Sequence, residues 1–191
     1  LCAPIFKIKN MHNFRYELNQ IINNISEKQG KLILNSIKEV SPAGIKKYSG
    51  EGSVNLDNNI SFRKIMKIGA NWDRISGCYN NNYSEIFSKG LPYLENLRKK
   101  LSFSDSISLV FLNYLSCDYD SHLLRKYGIE KASKIKVKAS IIKKMKNSKK
   151  MAISLRKFDY YLKFFNLNPG TCADLTVTTL LISKIRDIFK F

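Results

Sequence analysis

Met151-Ala152-Ile153-Ser154-Leu155-Arg156-Lys157-Phe158-Asp159-Tyr160-Tyr161-Leu162-Lys163-Phe164-Phe165 is the stretch that decides the fold class. Met151, Leu155, Phe158, Leu162 and Phe165 recur at alternating steps of four and three, which is the seam of a helix packed on another helix. The same periodicity extends outward in both directions. Towards the C-terminus, Pro169 and Gly170 make a turn and a closing helix runs to the end of the chain. Towards the N-terminus lies a lysine-rich helix over about Ile129 to Lys146, preceded by the polar, acidic segment Ser116–Ser121. Before that segment, Ser104 or Asp105 is placed to cap a helix that buries Ile107, Val110, Phe111, Tyr114 and Leu115.

The first half repeats the pattern. Leu91–Leu101 is a helix with Pro92 in its first turn. Ser61 opens another, with Ile65, Met66, Trp72 and Ile75 on it and Trp72 expected in the core, and the polar segment Gly77–Tyr83 kinks or interrupts it. Phe14, Leu18, Ile21, Ile22 and Ile25 share one helix face. Ser26 and Gln29 have capping-box spacing for a helix carrying Leu32, Ile33, Ile37 and Val40, which Pro42 and Gly44 end. Ile45 to Ile60, with Gly50, Gly52, Asn55, Asp57, Asn58 and Asn59, reads as a long loop. No period-two strand and no internal repeat occur. The expectation is an all-α chain, an antiparallel bundle or array of about seven to eight helices forming one domain over residues 1–191.

Composition narrows the class. Aromatic residues make up 12% of the 191-residue chain, enough burial to set against chain entropy, so a disordered protein is excluded. No apolar run approaches the roughly 20 residues of a membrane span, and Leu1-Cys2-Ala3-Pro4-Ile5-Phe6 does not form a signal peptide. Cys2, Cys78, Cys117 and Cys172 form no C-x-x-C pair and no zinc pattern; they read as buried thiols in a reducing compartment, with the cytoplasm as the expected location. The net charge of +18 favours phosphate-bearing partners, nucleic acid among them. Its spread from Lys7 to Lys190, in a chain rich in Lys, Asn and Ile, equally fits a biased base composition.

Three segments carry candidate chemistry. In Asn168-Pro169-Gly170-Thr171-Cys172-Ala173-Asp174-Leu175, Thr171 is placed to cap a helix and Asp174 to return the cap. The segment reads as a well-made helix start, or as an anion site in which free amides bind phosphate and Gly170 admits a ligand close to the backbone. In Cys117-Asp118-Tyr119-Asp120-Ser121-His122-Leu123-Leu124-Arg125-Lys126, Asp118 and Asp120 are candidate Mg²⁺ ligands and Arg125 a phosphate fork; the alternative is a polar turn in which Asp or Ser caps the next helix. The third, Asn71-Trp72-Asp73-Arg74-Ile75, sets an acid beside a base, and neighbours of that spacing do not face each other on a helix.

Taken together, in this order, the segments resemble the triphosphoribosyl-dephospho-coenzyme A synthase family, above all its shorter archaeal-type branch. Asn168 to Leu175 is similar to that family's C-terminal signature of Asn or Ser, Pro, Gly, Gly or Thr, any residue, Ala, Asp and Leu. Asp120-Ser121-His122-Leu123-Leu124-Arg125-Lys126 is similar to the branch's Asp-Ser/Thr…Arg-Lys segment. Asp73, Ile75, Tyr79 and Tyr83 resemble the family's stretch ahead of a helix, and Ser41-Pro42-Ala43-Gly44 its Pro-Gly turn. His122 stands where bacterial members have Asn, and Lys126-Tyr127 where they have paired glycines. Earlier family motifs, a K-P-G-N-like turn and an N-T-N-x-G segment, would precede Leu1. The chain is therefore expected to match the later part of the family pattern, with a complementing N-terminal fragment or a second copy as partner.

The resemblance implies an all-helical enzyme that moves the triphosphoribosyl group of ATP to the ribose 2′-hydroxyl of 3′-dephospho-coenzyme A, or a related acceptor, and releases adenine. Cleavage at C1′ builds oxocarbenium character and calls for carboxylates, a base and cations. The resemblance assigns Asp120 and Asp73 to catalysis. It assigns Arg125, Lys126, His122, Asn168, Gly170, Thr171 and Asp174 to substrate and phosphate binding, and Asp118 with Asp120 to Mg²⁺. The rival readings are a basic helical nucleic-acid-binding protein, resting on Lys131–Lys150, and an inactive or split subunit of the same fold.

Overall fold

The computed structural model describes residues 3–6, 11–40, 49–50, 53 and 61–189. The Ser41–Gly44 turn and nearly all of the Ile45–Ile60 loop lie outside these residues. Among them the chain is all-helical: α1 (Met11–Asn23), α2 (Glu27–Val40), α3 (Phe62–Gly69), α4 (Arg74–Asn80), α5 (Leu91–Arg98), α6 (Phe103–Cys117), α7 (Ser121–Lys143), α8 (Ser148–Phe164) and α9 (Gly170–Phe189), with no strand. A single 3₁₀ turn at Ala3–Phe6 precedes α1, and a π turn at Ile86–Gly90 leads into α5. The helix expected from Ser61 is two, which accounts for the extra element. These helices fall into two compact units, residues 1–86 with 181–191 and residues 87–180. No helix of the described residues is long and apolar enough to cross a membrane.

The first unit is built on short apolar stripes. Phe14, Leu18 and Ile22 of α1 are buried at steps of four. Ser26 and Gln29 make the capping box that their spacing predicts: the Gln29 amide donates to Ser26 Oγ (3.3 Å) and the Ser26 amide to Gln29 Oε1 (2.9 Å). Gly30 lets α2 close on α3, since a Cβ there would sit 3.2 Å from Phe62 Cβ. Phe62, Ile65 and Met66 form the cluster beneath, with Ile25, Ile33, Leu34 and Tyr79 against it. Leu32 and Val40, expected inside, are exposed; Leu34 takes the inward position.

Trp72 corrects a second expectation. It lies between α3 and α4 and is 40% exposed, because α3 ends at Gly69 before the period reaches it. Asp73 starts α4 instead, its Oδ1 accepting from the Ser76 amide (2.9 Å). Arg74 pairs with Glu85 in a half-buried salt bridge. Cys78 is buried in this unit, and its thiol is pushed up to about 12 by desolvation, with Glu85 adding to the shift.

The second unit has α6 and α7 at its centre. Ser102, not Ser104 or Asp105, caps α6. Its Oγ accepts from the Asp105 amide (3.1 Å) and donates to Asp105 Oδ2 (2.7 Å), so Asp105 is the returning partner. Val110, Leu112, Tyr114 and Leu115 of α6 meet Leu123, Ala132, Ile135, Ala139 and Ile142 of α7 in the core. α7 begins at Ser121, well before the expected Ile129, and turns at Gly128 (φ 80°, ψ 172°), a conformation reserved for glycine. The turn explains the early start: two helical segments with different faces share one element. On α8, Phe158 and Leu162 are buried as the seam predicts, whereas Phe165 sits past the helix end and is 54% exposed.

Candidate functional site

The Ser116–Ser121 and Asn168–Leu175 segments, some fifty residues apart in sequence, meet in the second unit. Asp120 is the N-cap of α7, its Oδ1 accepting from the Leu123 amide (2.9 Å). Its other oxygen, Oδ2, accepts from the Cys172 amide at the start of α9 (2.7 Å). Thr171 Oγ1 answers in the other direction, accepting from the His122 amide of α7 (3.1 Å). Each helix start is therefore capped by a residue of the other. One carboxylate satisfies orphan amides of two helices and faces the positive ends of both macrodipoles. Asp120 and Thr171 are nearly sealed from solvent, at 2% and 3% exposure.

This arrangement corrects several expectations. At the start of α9 a carboxylate from another helix, Asp120, holds the Cys172 amide, and Asp174 lies exposed on the first turn. The anion at the α9 start is a side chain of the protein. Thr171 has its hydroxyl committed to α7. Gly170 admits an imidazole: a Cβ at this position would lie 2.7 Å from His122 Nδ1. Local spacing shows none of this, because both capping partners lie on the other helix.

Asp118 and Asp120 do not fit a bound Mg²⁺. Both oxygens of Asp120 accept backbone amides in a buried position, and Asp118, exposed, turns Oδ1 onto the Tyr119 amide (2.7 Å). No group of three or more His, Cys, Asp or Glu that could hold a metal occurs among the described residues. Asp73 belongs to the first unit and caps α4.

The chemically versatile group at the junction is His122. It is half-buried, and desolvation lowers its pKa; Arg125 and Lys126 push the same way, while the carboxylates of Asp120 and Asp174 oppose them. The shift favours the neutral, proton-accepting form of the imidazole. Arg125 is half-buried and Lys126 exposed, both within the first two turns of α7. Asn168 is exposed and Pro169 buried just before α9.

The turn before α9 also borders an open groove of about 870 Å³. Its walls come from α6, α8 and α9, with Asn168, Pro169 and Ala173 at one end. The sequence gives little warning of this groove, since Ile107 and Phe111 of α6 read there as core and are half-buried lining residues instead.

Mutually capped helix starts, a half-buried imidazole and adjacent cations meet at this junction of an all-helical protein. The family profile of CitG: ATP:dephospho-CoA triphosphoribosyl transferase matches residues 1–191. The chain belongs to this family of transferases. A search of curated proteins found no match. A search of solved structures found none either.

Proposed function

We propose that the α7–α9 junction is where the triphosphoribosyl group of ATP passes to the 2′-hydroxyl of 3′-dephospho-coenzyme A with release of adenine. The observation that carries this reading is the cross-capping of the two family-like segments by Asp120 and Thr171, in a chain whose family catalyses triphosphoribosyl transfer. In the reaction, the bond from ribose C1′ to adenine N9 breaks and a bond from the acceptor oxygen to C1′ forms. The acceptor hydroxyl gives up one proton to a base, and adenine gains one at its imidazole ring as it departs, so the proton count balances.

The residues divide that work as follows. Arg125 and Lys126 bind the triphosphate. His122, neutral through desolvation, takes the hydroxyl proton. Asp174 offsets the positive charge that grows at C1′, and Asn168 contacts the ribose hydroxyls. Asp120, Gly170 and Thr171 position these groups: Asp120 and Thr171 fix the two helices, and Gly170 leaves room for the imidazole. Asp73 is a structural cap in this reading.

The test is chromatographic detection of adenine, with mass analysis of the acceptor, from ATP and dephospho-coenzyme A. Adenine and a triphosphoribosyl adduct in equal amounts are expected. His122→Gln is expected to lose about a hundredfold in kcat, within the range for a general base. Unchanged kcat in that variant removes His122 from the mechanism.

A further inference from the structure

We infer that the apolar groove beside the start of α9 seats the pantetheine arm of the acceptor, an inference that rests on the transfer reading above. Dephospho-coenzyme A has two unlike halves. One is adenosine with an anionic pyrophosphate, and the other is an uncharged chain of methylenes, a gem-dimethyl group and two amides. A site for the first half needs cations; a site for the second needs apolar walls with a few polar atoms.

The second unit offers both, joined at one turn. Asn168 and Pro169 lead from the α7–α9 junction into the groove. From there Ala173, Val177 and Leu180 of α9 line one wall, at helical steps of four and three. They carry the wall about 10 Å along the helix at 1.5 Å per residue. Phe111 of α6 and Leu155 of α8 face this wall across the groove. Its volume of about 870 Å³ lies within the range of small-ligand sites. Arg156 of α8 stands on the lining as a cation for the acceptor's phosphates. Residues 171 and 172 of the same helix are buried towards α7, so α9 presents one face to the reacting groups and the next to the arm.

Equilibrium binding tests the inference independently of turnover. Dephospho-coenzyme A and ADP are titrated calorimetrically into the full chain; ADP keeps the adenosine and pyrophosphate and lacks the arm. The arm is expected to tighten binding about tenfold or more, the gain for filling an apolar pocket. Val177→Trp, at an exposed position that tolerates bulk, is expected to abolish most of that difference. Val177→Asp, which keeps the volume but charges the wall, is expected to do the same. Equal affinities for the two ligands in the unmodified protein overturn the inference. So does a preference that survives both variants, or a groove that sedimentation of Val177→Trp identifies as a contact between two copies. Failure to release adenine counts against the transfer reading alone, since the titration still reports where the arm binds.

Discussion

Asp120 is the residue on which the junction turns. Its two oxygens accept amides from two helices, so Asp120→Asn replaces one acceptor by a donor facing an N–H group. The predicted cost is roughly 2–3 kcal/mol, the size of a charge-assisted bond left unmade in a buried site. Thermal unfolding is expected to fall by about 4–12 °C for a chain of this length. A melting point within a degree of the parent contradicts the double-cap assignment.

His122 supplies a pH signature. Its folded pKa lies below the ordinary 6.5, mainly through desolvation, so the unfolded chain binds the proton more readily. The contribution of His122 to stability is therefore intact above 6.5 and declines as pH falls from there through the lowered folded value. Urea unfolding at pH 7.5 and 5.5 is expected to show a smaller acid loss in His122→Gln than in the parent. Gly170→Ala should act through the same ring. The added Cβ would lie 2.7 Å from Nδ1 and displace the imidazole towards solvent, raising its pKa towards 6.5. The chain has two histidines, so a proton NMR titration resolves the shift.

At the scale of the element, what the sequence made legible was local. The Ser26–Gln29 box, the Phe14–Leu18–Ile22 stripe and the Phe158–Leu162 seam all depend on neighbours within one helix, and all are present. The misreadings at the junction share one cause. Thr171 and Asp174 have the spacing of a self-contained cap, yet Thr171 Oγ1 serves the His122 amide of α7 and Asp120 arrives from that helix to hold the Cys172 amide. Gly90 carries no local signal either. A Cβ there would meet the Tyr114 hydroxyl at 1.7 Å, where that hydroxyl is hydrogen-bonded to Thr179 Oγ1 (2.7 Å) in the core. Gly128 gave no sign that it divides a helix. Its φ of 80° with ψ of 172° predicts that Gly128→Ala costs about 1–3 kcal/mol, even though open space surrounds the site. Chemical denaturation checks this, and a loss below about 0.5 kcal/mol, within the scatter of ordinary surface changes, contradicts the strained turn.

On the scale of the whole molecule, charge is the property that the fold does not explain. The chain carries 33 Lys and Arg against 15 Asp and Glu, and among the described residues many of the cations are exposed on α7 and α8. For a transferase of polyphosphates, that field raises the local concentration of ATP and dephospho-coenzyme A and is screened by salt. The Michaelis constants of both substrates are expected to rise with ionic strength. If the Lys131–Lys150 stretch served nucleic acid instead, single-stranded RNA would inhibit transfer strongly at low salt and lose that effect steeply as salt is added. The family-like segments were recognisable in sequence because their spacing survives in this chain. Their meeting through Asp120 and Thr171 was not, because no local pattern encodes it.

The most direct test of the α7–α9 junction as the place of transfer is kcat/KM for ATP in Arg125→Ala, followed by adenine release with dephospho-coenzyme A saturating. With the fold checked by melting temperature, the value is predicted to fall about tenfold or more, the scale of losing one charge-assisted hydrogen bond to the bound triphosphate. A value within twofold of the parent would contradict the account and place the triphosphate elsewhere.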